Sequence, residues 1–402
     1  MTLCNRPIRV LYSFPNKLGG ARICYTAWQQ VNGLDANGAH VLLFPASICR
    51  AVPDGVSCHP TLARGNMRVP FRLLGLRNAM ALHDSIVARR LERLRDRVDI
   101  VHTWPSGALR TLHVAARLGI PTVLERCSTH TRYAYEAVEQ EARNLGISLR
   151  KGEDGAFDER VLKLEEEEFR LADRLLCPSD FVVKTFLDRG FSKDRLPRHF
   201  YGFDENTYYS NPNYRPNTRG LRVLFVGYCN VGKGVHYALD AWLRSPASQN
   251  GIFTIVGDFA SSYRRKLAKL LSHPSIRVVG HKDNVAEFMR NNDALVLPSV
   301  QEGSALVCTE AMATGCVPIV SDVCSSMCKH MENALVHHAR DVEALCHHIT
   351  LLSEDRTLLQ RLRTNGLKTR TDSTWSAAGI RLLDVYRETI KLYKTGQLAI
   401  PA

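Results

Sequence analysis

Asn292-Asp293-Ala294-Leu295-Val296-Leu297-Pro298-Ser299-Val300-Gln301-Glu302-Gly303-Ser304-Ala305-Leu306-Val307-Cys308-Thr309-Glu310-Ala311-Met312-Ala313-Thr314-Gly315-Cys316-Val317-Pro318-Ile319-Val320 is the stretch that decides the fold. Ala294 to Leu297 is a short apolar run between Asn-Asp and Pro-Ser, the pattern of a strand buried on both faces of a parallel sheet. Gly303 and Ser304 then open a helix, with Ser304 as its N-cap. Gly315 stops that helix in the left-handed conformation. Val317 to Val320 reads as the next buried strand.

This unit sets Gly303, Ser304 and Ala305 at the carboxyl end of a strand, where open α/β sheets bind ligands. Backbone N–H groups at a helix start suit an anion such as a diphosphate. Glu302 precedes the helix, and Glu310 lies about 9 Å along it from Ser304. Carboxylates beside an anion site make sense when the ligand also carries hydroxyls, because each accepts two or more hydrogen bonds. The inferred ligand is a sugar–diphosphate–ribose, a nucleotide sugar.

Pro298-Ser299-x-x-Glu302-Gly303, followed by Glu310-Ala311-Met312-Ala313-x-Gly315-x-Val317-Pro318-Ile319-Val320, resembles the signature of glycosyltransferase family 4. The resemblance implies the α/β GT-B fold: two Rossmann-like domains facing across a cleft, with a final helix crossing back to the first. It implies a retaining sugar transfer from a nucleotide-diphosphate sugar to a hydroxyl acceptor, in cell-surface polysaccharide or lipid-linked oligosaccharide assembly. In the family the first glutamate, here Glu302, sits by the donor sugar, and the second, here Glu310, binds the ribose.

Bulk properties fit that class. The 402 residues are enough for two domains. The net charge of +13 points to a polyanionic partner, here an anionic membrane surface or phosphorylated lipid, with no nucleic acid expected. No run approaches ~18 consecutive apolar residues, so no transmembrane helix is expected. Pro7 to Tyr12 reads as a strand and not a signal peptide. The expected location is therefore cytoplasmic, peripheral at the inner face of the membrane. Twelve cysteines form no Cys-x2-Cys, and the nearest approach to a metal cluster is Cys324-x3-Cys328-x-His330. Reduced thiols, no metal and no resident cofactor are expected.

In the first half, Ile8 to Tyr12 is a strand, and Ser13 to Gly20 is a loop. Gly19-Gly20 opens a helix to about Val31; the pair lets backbone N–H groups approach a ligand, and it resembles the family's N-terminal Gly-Gly loop at the donor. Val41 to Phe44 is the next strand. Arg64 to Arg97 holds nine arginines interleaved with apolar residues, one or two amphipathic helices with a basic face suited to an anionic membrane. Val98 to His102 and Thr122 to Glu125 are further strands, separated by a helix over 107–118. The family keeps a His after such a strand, near the reacting carbon; His130 is the first candidate and His102 the second. Glu153 to Glu168 reads as a solvated acidic helix. Ala172 to Phe181 resembles a second family signature, a strand followed by a helix capped by Ser179. Asn206 to Gly220 lacks periodicity and reads as a linker. The expected domains are 1–204, the linker 205–220, 221–375, and a crossover helix and tail 376–402.

The second half opens with strand Leu221 to Gly227. Gly227-x4-Gly232-Lys233 reads as a phosphate-binding P-loop, but Gly234 stands where that motif needs the Ser or Thr hydroxyl for magnesium. The family's strand–loop–helix with its Lys-Gly is the better match; there the lysine, here Lys233, binds the donor diphosphate beside Gly227. Tyr228 stands where many members carry Arg. Strands Ile252 to Gly257 and Ile276 to Gly280, helix Asp283 to Arg290 and a late strand over Glu332 to Val336 complete a second Rossmann-like half. Trp375, Ile380, Leu383, Tyr386, Ile390 and Tyr393 fall at helical spacing. The sequence contains no Asp-x-Asp, so metal independence is expected. Two rival readings remain: a P-loop nucleotide hydrolase and a catalytically silent nucleotide-sugar binder.

Overall fold

The computed structural model describes residues 6–64, 67–68, 74–214 and 220–398. The chain forms two compact units. The first comprises Met1–Cys127, Asp158–Tyr201 and Trp375–Ala402, and the second Ser128–Phe157 and Gly202–Thr374.

The first unit contains strands β1 (Arg9–Leu18), β2 (His40–Ile48), β3 (Ser57–Cys58), a small hairpin of β4 (Ala63–Arg64) and β5 (Met67–Arg68), then β6 (Ile100–Thr103), β7 (Thr122–Glu125) and β8 (Arg174–Leu176). Its main sheet runs β3-β2-β1-β6-β7-β8. The second contains β9 (Arg222–Val226), β10 (Ile252–Val256), β11 (Ile276–Gly280), β12 (Ala294–Leu297), β13 (Val317–Ser321) and β14 (Leu335–His337), in the order β11-β10-β9-β12-β13-β14. Every pairing in the two six-stranded sheets is parallel. Both orders have the doubly wound pattern, in which the strand order reverses beside the first strand and opens a ligand crevice at the carboxyl ends. Strands β6, β7, β12 and β13 are short and fully buried, as a sheet covered on both faces requires, and β12 and β13 are mostly apolar.

Four expectations need correction. The loop expected over Ser13 to Gly20 is largely strand: β1 keeps pairing with β2 to Leu18–Ile48, with one irregularity between Phe14 and Lys17. The fully buried Phe14 and Leu18 explain that extension. The acidic stretch forms the helix Glu159–Leu171, yet Glu165 and Glu168 face inward. The neighbouring helix Leu109–Leu118 has no cap of its own. Glu168 accepts the N–H groups of Ser106 (2.7 Å) and Ala108 (2.9 Å) at its start, and Asp84 those of Arg110 (2.7 Å) and Thr111 (2.9 Å). Burial pushes the Glu168 carboxyl up to about 8. Ser128–Phe157 groups with the second unit and so leaves the expected 1–204 block. In the final helix, Trp375–Lys394, Ile380 is half exposed although its spacing placed it on the apolar face.

That helix belongs to the first unit, as expected of a crossover helix, and packs on Ile23–Ala36. Gly33 and Gly379 meet there; a Cβ on Gly379 would lie 2.8 Å from the Gly33 backbone. The basic helix is described over Leu76–Leu94. Residues 65–66 and 69–73 of the arginine-rich stretch lie outside the described residues.

Candidate active site

The site is built on the carboxyl end of β12. Val300 N–H donates to the Gly232 carbonyl (2.9 Å), laying the turn Val231–Lys233 against the strand end. Gly234 has φ +67, and a Cβ there would come 2.1 Å from the Pro298 carbonyl oxygen, so only glycine fits. The Asn230 side chain caps the turn by accepting Lys233 N–H (3.0 Å). Lys233 Nζ then forms an ion pair with Glu302, whose Oε1 also accepts the Ser299 hydroxyl (2.8 Å). Burial works against the ammonium charge, but the Glu302 carboxylate outweighs it and holds the lysine pKa above its ordinary value.

The helix after the turn runs Leu306–Thr314, one residue later than expected. Ala305 occupies the cap position without a side-chain cap, so Ser304 is not the N-cap. The Ala305 N–H donates to the Cys324 carbonyl (2.8 Å) and is not available to a ligand. The amides of Gly303, Ser304, Leu306 and Val307 have no backbone or side-chain acceptor among the described residues. Gly315 ends the helix with φ +83, as expected. Glu310 lies on this helix, half-buried, with a hydrogen bond from Tyr208; burial pushes its carboxyl up to about 7.

Gly227 has φ +148 and donates its N–H to the Val256 carbonyl (3.0 Å). Its carbonyl would lie 1.9 Å from a Cβ on Gly257, so two glycines let the ends of β9 and β10 close up. The Gly227 amide is thereby committed to the fold.

His130 caps the helix Thr131–Asn144, its Nδ1 accepting Arg132 N–H (3.2 Å). The preceding hydroxyls of Ser128 and Thr129 donate to Gln301 Oε1 at 3.3 and 3.2 Å. His130 is thus tied to the residue before Glu302, and His130, Lys233, Glu302 and Glu310 all belong to the second unit. His102 belongs to the first, fully buried, with Nδ1 2.5 Å from the Tyr386 hydroxyl and a pKa lowered by burial to about 3. Gly19 and Gly20 also belong to the first unit. Their N–H groups donate to the carbonyls of Cys24 (2.9 Å) and Lys17 (3.3 Å), so the pair forms a closed turn and not an open cradle.

Tyr208 was hidden in a segment read as linker. Its neighbours show why it is ordered: Arg290 donates to the Thr207 carbonyl (3.1 Å) and lies 4.3 Å from the Tyr209 ring centre. Tyr214 further on bonds Asp293 and lies 3.7 Å beneath the Arg363 guanidinium. The aromatic residues in an otherwise polar stretch were the available signal.

Two family models match the chain: Glycosyltransferase Family 4 over residues 25–199 and Glycosyl transferases group 1 over residues 220–355. The chain belongs to glycosyltransferase family 4. Among curated relatives of this family 4 chain is the N,N'-diacetylbacillosaminyl-diphospho-undecaprenol alpha-1,3-N-acetylgalactosaminyltransferase of Campylobacter jejuni. It is 28% identical over 174 residues, 42% of this chain and 45% of that protein. The chain thus spans less than half of that relative's length. A sucrose-phosphate synthase from Thermosynechococcus elongatus superposes with a TM-score of 0.68 at 19% identity, covering 96% of this chain and all of that one. Anabaena HepE in complex with UDP-glucose does so with 0.62 at 16%, covering 95% and 100%. These structural likenesses establish the GT-B fold. The P-loop reading loses its footing in the geometry: Lys233 sits on a short 3-10 turn against a carboxylate, followed by a left-handed glycine.

Proposed function

We propose that this family 4 protein is a retaining glycosyltransferase that moves a sugar from a nucleotide-diphosphate sugar to a hydroxyl acceptor. The observation that carries the reading is the assembly, within one unit, of Lys233, Glu302 and the His130 loop around the end of β12, with Glu310 on the helix that follows. In the proposed reaction the bond between the anomeric carbon and the diphosphate oxygen breaks, and its electron pair goes to the diphosphate. Lys233 and the unpaired amides at the helix start stabilise that charge. The acceptor oxygen bonds to the anomeric carbon on the face the diphosphate leaves, and its proton passes to the released phosphate oxygen. Glu302 orients the sugar hydroxyls, Glu310 the ribose, and His130 faces the donor sugar. With a lysine and amides supplying positive charge, the reaction proceeds without a divalent cation.

The HepE complex with UDP-glucose supports a uridine donor as the first to test. The undecaprenol-linked acceptor in the Campylobacter relative's name supports a lipid-linked acceptor. Helix Leu76–Leu94 supports a membrane seat. Arg77, Arg89, Arg90 and Arg93 are exposed alongside Leu76 and Leu82, the pairing of charge and apolar surface that binds anionic lipid. No helix among the described residues is long and apolar enough to cross a membrane.

Thermal-shift screening against UDP, GDP, ADP and their sugars, followed by turnover of the best donor with and without EDTA, tests the reading. Turnover insensitive to EDTA and lost in Glu302→Ala supports it. Binding without turnover of any donor leaves a silent binder, and magnesium-dependent ATP or GTP hydrolysis restores the P-loop alternative. Loss of vesicle binding in a variant with Arg89, Arg90 and Arg93 changed to Glu supports the membrane seat; unchanged binding removes it.

A further inference from the structure

Glu141 is a charged residue with no exposed surface, on a helix the sequence placed in the other half of the protein. Its Oε1 accepts His236 Nε2 (3.1 Å) and the Tyr237 hydroxyl (2.5 Å), and its Oε2 accepts Arg340 Nε (2.8 Å). Those donors come from helix Val235–Arg244, which starts right after Lys233-Gly234, and from the loop after β14. The same segment touches the Lys233 turn twice more. Asn230 donates to Asp154 (2.7 Å), and Val138 packs beneath Gly232, where a Cβ would come within 3.2 Å of it. At the helix's other end stands His130, whose loop reaches Gln301. The helix is therefore held at one end by Glu302's neighbour and along its length by the phosphate-side turn.

We infer that Glu141 is a positioning residue: it docks the helix Thr131–Asn144 onto the Lys233 unit and so sets where His130 stands relative to Glu302. The inference rests on the glycosyltransferase reading for its catalytic consequence, though not for its structural one. A buried carboxylate with three donors is strongly directional, since each donor would be stranded by any other placement of the helix. Three hydrogen bonds hold the carboxyl below its ordinary range despite burial, so the charge persists at neutral pH. A displacement of the order of 1 Å at a reacting group costs about 100-fold in rate.

The experiment compares Glu141→Gln, His130→Ala and the double variant with the wild type, using UDP-glucose as donor and UDP as binding probe. Glu141→Gln is expected to lower kcat about 10- to 100-fold while the KM for donor changes little. The double variant is expected to be no slower than His130→Ala alone, because Glu141 acts through His130. Multiplying losses, or wild-type kcat in Glu141→Gln, overturns the inference. An independent readout is the His130 imidazole resonance in histidine-labelled protein: it shifts in folded Glu141→Gln if the inference holds, and an unmoved resonance sinks it. That readout stands even if the wild type turns over no nucleotide sugar, which would defeat the glycosyltransferase reading alone. Should Glu141→Gln fold poorly, Arg340→Met removes the most exposed partner and is expected to give the same changes in smaller measure.

Discussion

The two sheets share one strand order, yet their carboxyl ends are finished in opposite ways. In the first unit the ends are filled by side chains. Glu125, at the end of β7 with no exposed surface, accepts Gln30 (2.7 Å), Tyr201 (2.8 Å) and His199 (3.0 Å). Tyr12 donates to Gln30 (2.6 Å), and Trp104 to Tyr12 (2.8 Å). Despite burial these donors hold the Glu125 carboxyl below its ordinary range. In the second unit the ends are finished by glycines 227, 234 and 257, and among the described residues Glu310 receives one side-chain donor and sits near 7. A satisfied carboxylate is architecture; an under-satisfied one has acceptor capacity left for a ligand. Equal topology thus says where a ligand could go, and the count of donors around each carboxylate says which of the two ends is equipped for it.

The largest expected effect tests the filled end. Glu125→Ala strands His199, Tyr201 and Gln30 in a dry core, and urea unfolding should show a loss of about 3–5 kcal/mol. A loss under about 1 kcal/mol would mean the network is dispensable and the contrast with the second unit false. The open end is tested by Lys233→Ala, which removes the charge proposed to face the diphosphate. Turnover should fall about 100- to 1,000-fold with stability little changed. A variant that loses stability and keeps turnover per folded molecule would reverse the assignment of the two ends.

The second unit was the more legible in the sequence. Ala294–Leu297 and Gly315 fell where expected because a run buried on both faces and a left-handed helix stop are local signals. Lys233 and Glu302 were each assigned to the donor on the resemblance, and in the structure they form an ion pair with each other. What escaped depends on partners far along the chain. Ser304 has the right residue type for a cap, but the Cys324 carbonyl takes the next amide and delays the helix. Gly19-Gly20 has the composition of a phosphate cradle, while its amides close a turn on Lys17 and Cys24. Glu165 and Glu168 sit in a run of four glutamates and look solvated, yet an uncapped helix recruits both sides of Ser106. Glu141 gave no signal, because nothing local says that a residue 95 positions upstream shares its carboxylate with His236.

The third effect concerns Glu310 and pH. Its folded pKa, about 7, is raised by burial above the ordinary 4.5. Its stabilising contribution is therefore complete below pH 4.5 and lost as pH rises through 7. Glu310→Gln removes that loss, so the ligand-free variant should be more stable than wild type at pH 8, on the order of 2–3 kcal/mol, and equal to it near pH 4. The ribose contact proposed for Glu310 needs the ionised form, so on that reading wild-type UDP affinity should fall as pH drops from 8 to 6, and Glu310→Gln should bind weakly at both. If the variant is no more stable at pH 8, the carboxyl is not under-satisfied and the comparison with Glu125 fails.

The smallest effect isolates the one donor Glu310 has among the described residues. The Tyr208 hydroxyl favours the charged carboxylate over the neutral acid, a difference on the order of 1 kcal/mol. Tyr208→Phe removes it while leaving the ring against the buried cluster that includes Leu224, Leu295 and Ala311. The Glu310 pKa should then rise further, by roughly half to one unit. The acid limb of UDP binding should move to higher pH by the same amount. At pH 9, where Glu310 is ionised in both proteins, the mutant should bind UDP at least as well as wild type, because the freed lone pair is open to a ribose hydroxyl. A parallel loss of affinity at every pH would show instead that Tyr208 itself holds the nucleotide. An unmoved acid limb would show that Glu310's proton is governed from elsewhere, and the donor count would no longer separate the two strand ends.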